Sequence, residues 1–309
     1  MRNTAIFFSL IFIFCLGVTV GAEVVLKQQM SFEMMGMPAT DMLTTVQISA
    51  DKSHTLTEFK PGSMMAMMGG QQPSEVNIVR LDKAVMWNLN ESAKTYMEFN
   101  LADIKQMMNT NDSVAADVDA VDKYEWTFDV KKQDETTLNG LPCKGIIATA
   151  TGVNKEDPND KVVLGYEQWS SDKIPGKETL DAFSKHFSEI TGLDPYGRDQ
   201  ITKNAAATYG KQLMELAKKA DELQGYPIKI IITGKTTGKV DLPMGMSEED
   251  MKEMDPRAAA MMKQMMGKKG EASPDGMNSL FSVKIEIMDV GSKAADNSTF
   301  EIPEGYTKH

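Results

Sequence analysis

Apolar and polar residues alternate with a period of two through most of the chain after residue 22, the mark of strands with one covered face. Leu26, Met30, Phe32 and Met34 share one face of a first strand, with Lys27, Gln29, Ser31 and Glu33 on the other. Leu43 to Ala50, His54 to Phe59, Val76 to Leu81, Val85 to Leu89 and Thr95 to Phe99 repeat the pattern. Asp51-Lys52, Asp82-Lys83 and Asn90-Glu91-Ser92 break it with turn-forming residues. Breaks this short imply hairpins, hence an antiparallel meander. Trp126, Phe128 and Val130 alternate again, and Asn139-Gly140 marks a hairpin before Cys143 to Ala150. Val162 to Trp169, Ile228 to Thr233 and Phe281 to Met288 bring the total to about a dozen strands.

A helical period interrupts the strands in three places. Leu180, Phe183, Phe187 and Ile190 are three or four apart and end at Gly192, and Ile201 to Leu223 continues the period as far as Gly225 and Pro227. Val114, Val118 and Val121 fit a short acidic helix. The expected fold is α+β: a large curved antiparallel sheet with the helices covering its open side. The expected organisation is a signal peptide over 1–22 and one domain over 23–309, carrying Met-rich insertions at 61–73 and 243–277.

Arg2, the apolar run Ala5–Leu16 and the small residues Val20-Gly21-Ala22 have the form of a secretory signal cut before Glu23. Gly17, Thr19 and Gly21 leave the run short of the ~20 apolar residues of a membrane span. The expectation is therefore an exported chain, periplasmic or extracellular, that is not transmembrane after cleavage. The formal charge of −11 makes nucleic acid and anionic membrane surfaces poor partners. Removal of Cys15 leaves Cys143 alone, so no internal disulfide can form; the thiol reads as a packed strand residue rather than a reactive group.

No catalytic constellation emerges. The histidines are His54, His186 and His309, with no accompanying nucleophile, zinc spacing or phosphate loop. Gly234-Lys235-Thr236-Thr237-Gly238 lacks phosphate-loop spacing and reads as a hairpin turn. Asp117, Asp119, Asp122 and Glu125 read as the solvated side of the acidic helix. No enzyme and no cofactor is expected.

Methionine stands out: 25 residues, more than the 12 Phe, 7 Tyr and 3 Trp together. Met64, Met65, Met67 and Met68 sit in a glycine-rich loop, and Met261, Met262, Met265 and Met266 share one face of a helix opened by Asp255-Pro256. Thioethers are soft ligands for copper(I) or silver(I), which makes the first group an alternative metal site or an oxidant sink. They also line adaptable surfaces for apolar partners, which makes the second group a candidate lid, and a third reading makes all of them flexible fillers with no specific task. Trp87, Tyr96, Trp126, Phe128 and Trp169 are the candidate walls of an apolar site.

The ending Phe300-Glu301-Ile302-Pro303-Glu304-Gly305-Tyr306 resembles that of a bacterial secreted family, domain of unknown function 4412. Arg80-Leu81-Asp82-Lys83 with Trp87, Lys94-Thr95-Tyr96, Asn139-Gly140 with Cys143-Lys144, Glu167-Gln168-Trp169 with Ile174-Pro175, and Gly225-Tyr226-Pro227-Ile228 follow the same resemblance in order. That family is similar to the periplasmic lipoprotein carriers. The resemblance implies an incomplete antiparallel barrel around an apolar cavity, which in the carriers holds acyl chains, and it does not imply carrier activity. The expected ligand is a lipid, an acyl chain or another apolar molecule, with an envelope protein as a candidate partner.

Overall fold

The computed structural model describes residues 23–34, 39–60, 74–104, 123–193, 210–220, 223, 225–238, 276–294 and 296–309. Twelve strands form one sheet. In chain order they are β1 (Glu23–Met34), β2 (Thr40–Ile48), β3 (Lys52–Phe59), β4 (Ser74–Arg80), β5 (Val85–Asn90) and β6 (Thr95–Asn100). Then follow β7 (Tyr124–Leu138), β8 (Leu141–Asn154), β9 (Lys161–Ser171), β10 (Tyr226–Thr236), β11 (Asn278–Lys293) and β12 (Thr307–Lys308). Their order across the sheet is β12-β6-β5-β4-β3-β2-β1-β11-β10-β9-β8-β7. The chain starts in the middle, meanders out to β6, resumes at the opposite edge with β7, and meanders back until β11 lies beside β1. Every neighbouring pair is antiparallel except β12 with β6.

The strand count and the meander match the alternation, but the expected incomplete barrel does not form. The sheet is mixed, open and uncurled, with β12 and β7 as its edges. A barrel needs those edges to approach under a fixed stagger. Here the sheet is instead a layer with packing on both faces. Alternation alone does not separate the two arrangements, because a barrel wall and a covered layer share the same period.

Local signals explain several elements. Asn139 and Gly140 adopt φ of 50° and 80°, the left-handed pair that a two-residue hairpin turn requires. Helix α1 (Lys177–Thr191) stops at Gly192, whose φ of 72° lets its N–H return to the carbonyl of Ser188. Helix α2 is described over Gly210–Ala220. The stretch from Ile201 to Tyr209 and the valine-spaced helix around Val114 lie outside the described residues. Two expectations are corrected. Gly234 to Thr236 belongs to β10, with Gly234 opposite Phe281, so no hairpin turn forms there. Glu125 is a strand residue of β7, because its neighbours Tyr124 and Trp126 alternate into the core.

One face of the sheet carries the helices. Leu213 and Leu216 of α2 pack with Ile146, Ala148, Leu164, Ile230 and Val283, while Leu180 and Phe183 of α1 pack with Val24, Leu26, Ile48 and Val79. On the opposite face Val76, Ile78, Trp87 and Leu89 are covered by the tail of the chain through Phe300, Ile302 and Tyr306. Ile78 and Val79 are successive residues of β4, so their clusters lie on opposite sides of the sheet.

Arg80 anchors that tail. Its side chain is 6% exposed and forks onto Asp82, with Nε donating to Oδ1 at 2.8 Å and Nη2 to Oδ2 at 2.6 Å. Nη1 donates to Glu301 and to the Phe300 carbonyl, and Lys83 Nζ lies 3.1 Å from Glu301 Oε2. Two of the motifs that carry the family resemblance therefore meet in space.

Phe300 is fully buried, and Phe300→Ala should cost about 3–5 kcal/mol in urea unfolding. The bonds from Arg80 hold the Asp82 carboxyl below its ordinary 3.8. At Glu301 burial works the other way, but the bonds from Arg80 and Lys83 prevail and hold it below 4.5. The unfolded chain binds these protons more readily, so the stability is complete above those ordinary values and is lost as pH falls through the lowered native ones. Urea midpoints should drop on acidification below about pH 4.5, and Arg80→Met should flatten that slope.

Candidate functional site

The helix-bearing face carries a small crevice among the described residues. The crevice, beside Gln28, Ile228, Ile230, Ile285 and Ile287, holds ≈ 20 Å³, about one water. An open, uncurled sheet does not enclose the barrel-like cavity that was expected.

The other face of β8, β9 and β10 is different. The residues there alternate with the core residues Ile146, Ala148, Leu164, Ile230 and Ile232, so they point away from α2. Register sets them in rows. Ile147, Glu167 and Ile231 lie side by side, then Thr149, Gly165 and Thr233, then Thr151, Val163 and Lys235. The middle row is the shortest. Gly165 has no side chain, and a Cβ there would come within 2.7 Å of Thr233 Oγ1. Short side chains between bulkier rows leave a groove of ≈ 260 Å³, lined also by Tyr166 and Met277.

Charges bound this groove. At one end Glu167 Oε1 accepts from Trp169 Nε1 at 2.7 Å and from Lys229 Nζ at 2.9 Å. Lys235 stands toward the other end. Along one side β11 places Lys284 opposite Ile231, paired at 2.6 Å with Glu286. Along the other, β7 places Lys131 opposite Ile147 and Asp129 opposite Thr149, with 3.0 Å between their charges. The result is a narrow strip of Ile, Val and Thr inside a frame of ion pairs.

The five candidate aromatics do not converge. Trp87 and Tyr96 belong to the cluster under the tail, where Trp87 Nε1 donates to Glu98 and Lys83 lies 5.2 Å from its ring centroid. Trp126 packs at the rim of the α2 cluster, its ring centroid 5.9 Å from that of Tyr124 and its indole over Gly152. Phe128 is half-exposed on β7. Only Trp169 adjoins the groove, through Glu167, with its ring over Gly145. Met261, Met262, Met265 and Met266, like Met64, Met65, Met67 and Met68, lie outside the described residues. Thr149, Gly165 and Thr233, which shape the groove, were not singled out in the sequence. Their only signal is small residues at alternating positions of three separate strands, and it becomes legible once the register is known.

Among the described residues no group of three or more His, Cys, Asp and Glu side chains is arranged to hold a metal. Among the same residues no helix is long and apolar enough to cross a membrane.

No family model matches the chain, so the resemblance to domain of unknown function 4412 gains no support there. No curated protein matches it either. A solved LolA superfamily protein from Nitrosomonas europaea is similar over 92% of this chain and 91% of its own, at 7% identity and a TM-score of 0.26. This is a weak, low-identity likeness to the lipoprotein-carrier superfamily. At that TM-score it transfers neither architecture nor ligand.

Cys143 is fully buried, and burial pushes its thiol above the ordinary value. In the chain beginning at Glu23 it should resist a thiol reagent such as DTNB until urea opens the fold. Rapid labelling of the native protein would contradict this packing.

Proposed function

We propose that the chain is an exported, non-enzymatic binding protein that lays an apolar chain, such as the acyl tail of a lipid, along the β8–β10 groove. The observation that supports this reading is the Thr149–Gly165–Thr233 row. It opens a slot between Ile147, Ile231 and Val163, on a face with no helix over it among the described residues. Aliphatic contacts hold such a ligand without direction, at ~0.8 kcal/mol per methylene removed from water. The ion pairs at the margins keep the strip narrow, so a thin chain fits and a broad ring system does not.

cis-Parinaric acid, a thin conjugated acyl chain, is a suitable probe, with its own emission and the quenching of the protein's tryptophan emission as readouts. Thr149→Phe places an aromatic in the slot at a strand position that accepts one. It should weaken probe binding by about tenfold or more, ~1.4 kcal/mol, while the urea midpoint stays near that of the parent. Ile231→Glu should do the same by setting a charge in the floor. Undiminished binding by folded Thr149→Phe, or no binding by the parent protein, would overturn the reading.

A further inference from the structure

We infer that the free edge of β7 pairs with the same edge of a second copy of the chain, antiparallel, about a two-fold axis at Phe128. β7 is an edge strand of 15 residues whose only neighbour in the described sheet is β8. Edges of this length are normally blunted by charge or by a bulge. In β7 the lysines and the bulge sit in the second half. Lys131 and Lys132 come first, then an irregularity between Gln133 and Thr136. The first half has no bulge and no lysine, only the carboxylates Glu125 and Asp129; there Phe128 and Val130 are each 38% exposed on the face that continues from Trp126.

The sequence of this half is complementary to itself in one register. With the axis at Phe128, that ring meets its own copy, Trp126 lies opposite Val130, Thr127 opposite Asp129, and Glu125 opposite Lys131. All these positions precede the bulge. The neighbouring registers are poorer. An axis at Thr127 sets Glu125 against Asp129, and an axis at Asp129 sets that carboxylate against its own copy. A shift by one residue places the apolar row of one copy beside the polar row of the other. Lys131 is paired within its own strand to Asp129, but both side chains are exposed, so that pair is weak and leaves the lysine able to reach Glu125 of the other copy. Like side chains share a face across such a pairing, so the helix-bearing faces of the two copies continue into one another, and so do the faces that carry the groove.

The test is sedimentation velocity of the chain from Glu23 over a concentration series, with charge-reversed variants. The parent should dimerise as concentration rises. Glu125→Lys sets two lysines against each other, and Lys131→Glu two glutamates; each alone should weaken association by about tenfold. Mixed in equal amounts, the two variants should associate as the parent does, because each supplies the charge that the other lacks. Recovery on mixing shows that the single variants were folded. Phe128→Cys should form a disulfide-linked dimer under mild oxidation, since Cys143 is buried and does not compete. A parent that stays monomeric throughout, or a dimer indifferent to both reversals, would overturn the proposal.

Discussion

The architecture depends on one ladder, the pairing of β1 with β11. β2 to β6 follow β1 outward by local connections, and β7 to β11 return inward as a second meander. Only the β1–β11 seam, from Glu23 opposite Lys293 to Met34 opposite Phe281, makes one sheet of the two. The seam also joins the helix-side cores. Val24 and Leu26 of β1 enter the cluster under α1, whereas Met30 and Phe32 pack against the cluster under α2. One strand thus supplies backbone hydrogen bonds to both meanders and apolar area to both clusters. The irregularity at Lys27 and Gln28 falls where its side chains pass from one cluster to the other.

The two faces of the sheet are covered by unequal means. Helices protect one of them, and their amphipathic spacing makes that cover visible as a pattern. The other face is protected at the β4–β5 side by the tail, fastened through Arg80, Asp82 and Glu301. Over β8 to β10 the described residues include no such cover, and the composition of the face changes to suit. Threonine and glycine replace large aliphatics in the middle row, and ion pairs flank it. A strip of this kind keeps enough polarity to face water and enough aliphatic surface to accept a chain of methylenes.

Much of the strand plan was legible because alternation, Asn139-Gly140 and Gly192 are local signals with local causes. Openness was not legible. Whether β7 and β12 approach one another depends on sheet geometry, and the alternating residues of a covered layer read the same as those of a barrel wall. β12 escaped notice for a related reason: two residues paired in parallel to β6 leave no periodicity to detect. For the site, the large aromatics drew attention as candidate walls, yet Trp87 and Trp126 serve separate packing clusters. The groove is made by what is missing at Gly165, and an absent side chain stands out only when Thr149 and Thr233 are known to flank it.

The seam has a kinetic side. Residues that pair across it, such as Glu23 with Lys293 and Met30 with Ile285, are far apart in the chain, so the loop entropy of closing it must be met before any of its contacts forms. Each meander can begin locally, but neither can bury the apolar face of β1 alone. A chain emerging in order from a ribosome therefore lacks its closing ladder until β11 arrives, and only then can the two meanders join.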